Sequence, residues 1–177
     1  MIRALIIGSI VTAIAQHPLG ARAGSELAGV WRLDKARSQL SGGMRENQTA
    51  IEQSLTIAVK SNVVTVKTAT VGGPLGLRST TDRYDIDGQE RPFVPGVRVD
   101  SGKAEGTRTS RWLPDRRGFE VSEVVTREMR GGTFTVRNTH RWNVSADGSV
   151  LTIESTTEGP QGRIYTRRVL IREKPRR

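Results

Sequence analysis

Apolar and polar residues alternate along most of this chain. From Ile51 to Lys60 the apolar positions are Ile51, Leu55, Ile57 and Val59, with Glu52, Ser54, Thr56 and Lys60 between them. A period of two marks a strand with one buried face, because successive side chains point to opposite sides of a pleated backbone. After Ser61-Asn62 a β-branched run extends from Val63 to Val71 and stops at Gly72-Gly73-Pro74. Leu77 to Asp87 alternates less cleanly and ends at Asp87-Gly88, a favoured hairpin pair. Gln89 to Gly102, with Pro92, Pro95, Gly96 and Gly102, predicts a longer loop. Strands are then expected at Lys103–Leu113, Phe119–Met129, Thr133–Val144, Val150–Thr157 and Arg163–Arg172, parted by turn-forming clusters such as Gly131-Gly132 and Ala146-Asp147-Gly148.

With a first strand at Gly29–Asp34, the pattern gives about eight to nine strands joined by short turns. Helical periodicity is confined to a short piece near Asp34–Leu40. A doubly wound α/β enzyme is therefore disfavoured, since it needs long amphipathic helices between strands. The expected fold is all-β, an antiparallel up-and-down meander closed into a barrel that removes the sheet edges. The tail Arg172–Arg177 is expected to be frayed and solvated.

The first 23 residues depart from this pattern. Arg3 precedes an apolar stretch from Ala4 to Ala15, and a polar region follows that ends in Ala21-Arg22-Ala23. That order is a secretory signal peptide with cleavage after Ala23, which predicts a secreted or periplasmic protein. The apolar run is too short for the ~20 residues of a membrane-spanning helix. Cleavage leaves about 154 residues as a single domain, residues 24–177.

Charge changes with the address. The chain carries 28 Lys+Arg against 18 Asp+Glu. Losing Arg3 and Arg22 leaves 26 basic residues, a net charge of about +8. An exported basic protein meets lipid head groups and anionic polymers sooner than nucleic acid, and its arginines are dispersed along the strands rather than clustered. No nucleic-acid partner is expected, and no membrane span in the mature chain. Absence of cysteine excludes disulfides, thiolate metal sites and a lipid-modified cysteine.

The start of the mature chain, Leu27-Ala28-Gly29-Val30-Trp31-Arg32-Leu33-Asp34 followed by Ala36-Arg37-Ser38, resembles that of the lipocalin-like (calycin-type) β-barrel proteins secreted by bacteria. Tyr84-Asp85-Ile86-Asp87-Gly88 before Pro92, and the closing Gly162-Arg163-Ile164-Tyr165, are similar to a subfamily of small exported proteins of this type. The resemblance implies that Gly29 and Trp31 are the glycine-x-tryptophan pair opening the first strand, that Trp31 plugs one barrel end, and that Arg167 or Arg168 of the last strand packs across its ring.

Candidate chemistry is sparse. His140 is the histidine that remains after cleavage, and it shares the apolar face of Phe134, Val136, Asn138, Trp142 and Val144, so it is expected to point inward. Glu123 and Arg127 share the face of Phe119, Val121, Val125 and Met129 and are expected to form an internal ion pair. Asp82, Asp85 and Asp87 are better explained by turn chemistry than by calcium. One histidine with scattered carboxylates supports no metal site, no cofactor is expected, and no nucleophile sits beside an evident base, so no catalytic residue is assigned.

The leading expectation is a non-catalytic barrel holding a small apolar or amphipathic ligand, lined by Tyr84, Arg127, Asn138, His140 and Trp142. The alternatives are a basic module that meets anionic polymers or lipid head groups at an envelope or matrix, and a barrel enzyme dependent on His140. The sequence does not set the oligomeric state.

Overall fold

The computed structural model describes residues 24–40, 52–72, 76–95, 104–129 and 132–174. The signal-peptide segment, 1–23, lies outside these residues, as do 73–75 and 131 of the predicted turns. Ten strands follow a short 3₁₀ turn at Ser25–Leu27. They are β1 (Gly29–Leu33), β2 (Glu52–Lys60), β3 (Val63–Val71), β4 (Arg78–Asp85), β5 (Arg91–Phe93), β6 (Ala104–Trp112), β7 (Gly118–Met129), β8 (Gly132–Val144), β9 (Val150–Gly159) and β10 (Gly162–Arg172).

All pairings are antiparallel, and the sheet order is β4-β3-β2-β1-β10-β9-β8-β7-β6-β5. Apart from β4 and β5, each strand thus lies beside its sequence neighbour, and β1 joins β10 to curl the meander into a barrel. The expected all-β barrel is present, with one strand more than the pattern gave. That strand is β5, inside the predicted loop 89–102. It pairs only with β6, and Pro92, which has no N–H to donate, is tolerated because β5 is an edge.

The structure departs from the sequence pattern at three places. Asp87-Gly88 does turn the chain, with Gly88 at φ 76° and Asp87 accepting the Gln89 N–H, but β4 and β5 do not pair across it. The hydrogen-bond ladder therefore stays open between β4 and β5, and the edges that closure was expected to remove persist there. Asp34–Leu40 forms no helix; it turns so that Gln39 bridges Arg167 and the Ser38 hydroxyl accepts the Val169 N–H. The start of the tail is tied down, since Arg172 is anchored and the Glu173 N–H donates to Val30 O at 2.8 Å.

One barrel end is a packed apolar floor. Leu27, Trp31, Phe119, Leu151, Ile153 and Leu170 are fully buried, with Leu55, Ile57, Val64 and Val66 around them. Burying each such side chain contributes roughly 1.5–3 kcal/mol. The Trp31 indole N–H donates to Leu27 O at 2.9 Å, so its one polar atom is satisfied.

The cation over Trp31 is Arg172, 4.2 Å from the ring centroid, and not Arg167 or Arg168. Strand parity is the reason. Trp31 lies opposite Arg172 in the β1–β10 register and shares its face, whereas Arg167 points outward and Arg168 sits four residues up the strand. The Arg172 guanidinium also donates to Ala28 O and Gly148 O at 2.7 Å, and to Glu26 O. Gly29, at φ 142°, makes this possible: a Cβ there would lie 2.6 Å from Arg172 Nη1. The glycine of Gly29-x-Trp31 is thus the space that the guanidinium fills.

Candidate functional site: the barrel interior

Inward-facing residues change character from the floor to the opposite end. On β8 they run Val144 and Trp142, buried, then His140, Asn138, Val136 and Phe134, half-buried. On β9 the order is Leu151, Ile153, Ser155, Thr157, and on β10 Leu170, Arg168, Thr166, Ile164. The interior is therefore a packed floor, a polar band above it, and an apolar mouth.

Tyr84 and Trp142 belong to the floor rather than to a ligand lining. Phe119 stacks on Trp142 with centroids 5.2 Å apart, and Tyr84 tilts against Phe119 at 5.4 Å. Burial, reinforced by the Asp82 carboxylate, pushes the Tyr84 phenol far above its ordinary pKa.

The band centres on Glu123, a buried carboxylate. Arg108 Nε donates to its Oε1 at 2.8 Å and Arg108 Nη2 approaches within 2.7 Å. Glu123 Oε2 accepts from Asn138 Nδ2 at 3.4 Å and faces His140 Nε2 at 3.8 Å. Burial raises the carboxyl's pKa, but the neighbouring His140 ring and the Arg108 charge outweigh it and hold Glu123 below the usual carboxylate range. Asn138 in turn accepts from the Thr157 hydroxyl at 2.9 Å, and His140 Nδ1 is hydrogen-bonded to Ser155 Oγ at 2.9 Å.

The expected Glu123–Arg127 pair does not form. Residues four apart on a strand are separated by about 13 Å, whereas Arg108 lies directly across the β6–β7 register from Glu123. Arg108 also spans the open seam. Its guanidinium lies 4.7 Å from the Tyr84 ring centre on β4 and 4.2 Å from that of Phe93 on β5. Arg127 instead stands at the mouth opposite Phe134, with its Nε buried and unbonded.

Arg168 is a third cation of the interior. Its Nη1 donates to the neutral Gln53 Oε1 at 3.2 Å, and no carboxylate among the described residues reaches it. Burial lowers its pKa, with the Tyr84 phenol acting the other way. Arg108, Arg127 and Arg168 face Glu123 and Asp82, leaving positive charge in excess among these inward residues.

Beside the band, Phe134, Val136, Thr157, Gly159, Pro160 and Ile164 line an apolar cleft of about 340 Å3. That volume lies in the range of small-molecule sites. A larger cleft, about 580 Å3, lies mostly against the outer faces of β1–β3 between Val30, Arg32, Ser54, Ala69 and Glu173, away from the band. Among the described residues no cluster of three metal-ligating side chains occurs, and no helix is long and apolar enough to cross a membrane.

No protein-family model and no curated protein matches the chain. Solved structures do. The REP1-NXSQ fatty acid transporter aligns at TM-score 0.52 and 15% identity over 85% of this chain and 98% of its own. Lipid binding protein 8 of Caenorhabditis elegans, in its apo form, aligns at 0.52 and 10% identity over 87% and 100%. The zebrafish ileal bile acid-binding protein complexed with cholic acid aligns at 0.50 and 12% identity over 84% and 100%. The fold is that of the calycin-type β-barrels. At these identities the likeness concerns the fold, and the calycin barrel's use in this chain rests on its own inward residues.

Asn138 and His140 are thus brought together in the band and Arg127 at the mouth, while Arg108, Ser155 and Thr157 were not singled out from sequence, and Arg168 only as a candidate cation over Trp31. Strand parity alone flags Arg168, because it shares the inward face of Leu170.

Proposed function

We propose that the barrel binds a small amphipathic ligand of the lipid type, its apolar part in the cleft of Phe134, Val136 and Ile164 and its polar, anionic end against the band. The observation that carries this reading is Arg168, a half-buried cation whose partner is neutral, on the inward face of β10 two inward positions below Ile164 of the apolar cleft. A desolvated guanidinium without a carboxylate is satisfied by a ligand that brings one. Fold neighbours described as a fatty acid transporter and a bile acid-binding protein support the reading.

The outer surface weighs against the anionic-polymer alternative. Across β6–β10 one outward row reads Arg111, Glu120, Arg141, Glu154 and Arg167, so that basic and acidic residues alternate. Such a row is locally compensated and offers no continuous basic face.

The test is displacement of a fluorescent fatty-acid analogue by a long-chain acid and by the alcohol of equal length. Arg168→Met keeps the side chain's bulk and removes its charge. The acid should lose about tenfold or more in affinity, the worth of one charge-assisted hydrogen bond, while the alcohol is unchanged. Equal affinities of the two proteins for the acid would overturn the reading. Export belongs to the same proposal: the mature protein, recovered outside the cytoplasm, should begin at Gly24, whose buried N–H already donates to Arg116 O at 3.1 Å.

A further inference from the structure

Ser155, His140 and Glu123 form a chain of contacts that ligand binding does not require. Ser155 Oγ has His140 Nδ1 as its hydrogen-bond partner, at 2.9 Å, and no other among the described residues. The far ring nitrogen, Nε2, faces Glu123 Oε2 at 3.8 Å. The His140 side chain is 27% exposed, so the imidazole is open to the cavity. Glu123, fixed from the other side by Arg108, is held as the anion.

We propose that these three residues are a nucleophile, its base and the carboxylate that steadies that base, and that they hydrolyse carboxylic esters of the amphipathic class assigned to the adjoining cleft. The inference rests on that assignment for its substrate and on the side-chain geometry for its chemistry. A serine hydroxyl is a poor nucleophile until a base accepts its proton, and an imidazole does so best when an anion steadies the imidazolium that forms. Contacts of this kind are often long without substrate and tighten around it, so 3.8 Å is compatible with the role.

The surroundings supply the remaining parts. Thr157 is the next inward residue on β9 and lines the apolar cleft together with Val136 and Ile164, placing an acyl chain beside Ser155. Thr166 lies directly opposite Ser155 in the β9–β10 register, and its hydroxyl has no partner among the described residues. Arg168 is the next inward position beyond it. The Thr166 hydroxyl is therefore the donor beside the place where an oxyanion would develop, whereas the Arg168 guanidinium reaches towards Gln53 on β2.

In the reaction, Ser155 Oγ attacks the acyl carbon while its proton passes to His140 Nδ1. The bond from the acyl carbon to the alkoxy oxygen breaks, and the leaving alcohol takes that proton. Water then attacks the acyl-serine, giving one proton to His140, which returns it to Ser155 Oγ as the carboxylic acid departs. The product is itself an anionic amphiphile, the kind of molecule that Arg168 is placed to hold.

The test uses the full chain and two probes. With a long-chain alkyl fluorophosphonate, the intact mass should rise by one adduct, and fragmentation of tryptic peptide 142–163 should place it on Ser155. With p-nitrophenyl esters, kcat/KM should rise with acyl length. It should fall by about 10²–10⁴-fold in Ser155→Ala and in His140→Gln, which keeps a hydrogen-bonding side chain in case His140→Ala does not fold. Wild-type protein that binds the fluorescent fatty acid yet takes up no adduct, or takes it up elsewhere than Ser155, overturns the inference and leaves the binding reading standing. Protein that binds neither probe overturns both.

Discussion

Replacing Arg172 by alanine should open the barrel floor. The guanidinium stacks on Trp31 at 4.2 Å and donates to Ala28 O and Gly148 O at 2.7 Å. The stacking contributes about 1 kcal/mol. Each hydrogen bond from a charged donor contributes about 1.5 kcal/mol, and both carbonyls lose that donor in the variant. The expected loss is about 4 kcal/mol, a large share of the ~5–15 kcal/mol that holds a domain of this size folded. At about 2–4 °C per kcal/mol, the melting temperature should fall by about 12 °C. Arg172→Lys keeps a cation over the ring but cannot fork to several carbonyls, so it should lose about half as much. Urea unfolding followed by tryptophan fluorescence and circular dichroism measures both. A loss below about 1 kcal/mol at unchanged m-value, or a lysine variant as stable as wild type, would refute the reasoning.

Three further outcomes follow from the same geometry. Because Glu123 is held below its ordinary pKa of about 4.5, its contribution to stability is present above that pH and is lost as the pH falls through the depressed folded value. The stability deficit of Glu123→Gln should therefore be full above about pH 5 and shrink as the medium becomes more acidic; a deficit that grows towards acid contradicts the assignment. Gly118→Ala would place a Cβ 1.8 Å from Trp142 O, backbone that cannot swing aside, and should cost about 3 kcal/mol or more in thermal denaturation. Gly148→Ala, at φ 70° with nothing within 4 Å, should cost only about 1–2 kcal/mol.

What was legible in the sequence was what period two encodes. Val63–Val71 is a strand with the bounds its β-branched run predicts, and the inward direction of His140 follows from the alternation around it. Strand β5 escaped because three residues, one of them proline, carry no alternation. Partners across the sheet escaped for a different reason. The cation over Trp31 and the partner of Glu123 are fixed by register, and register depends on turn geometry that a single strand does not contain. Arg127 is near Glu123 in sequence, and Arg167 and Arg168 lie on the right strand away from the Trp31 level, whereas Arg108 and Arg172 are opposite their partners in space. The division of the interior into floor, band and mouth was likewise hidden, since Tyr84 and Trp142 read as lining until their packing with Phe119 and with each other placed both in the floor.

The central claim is that a ligand lies inside the barrel, with its chain against β8–β10 and its anionic end at Arg168. Nuclear Overhauser contacts between a long-chain fatty acid and methyl-labelled protein test it most directly. The predicted result is a one-to-one complex with chain contacts to the methyls of Val136 and Ile164, and a carboxyl resonance that shifts in Arg168→Met. Contacts confined to outward residues such as Val30 or Val71, or no contacts at saturating acid, would contradict it.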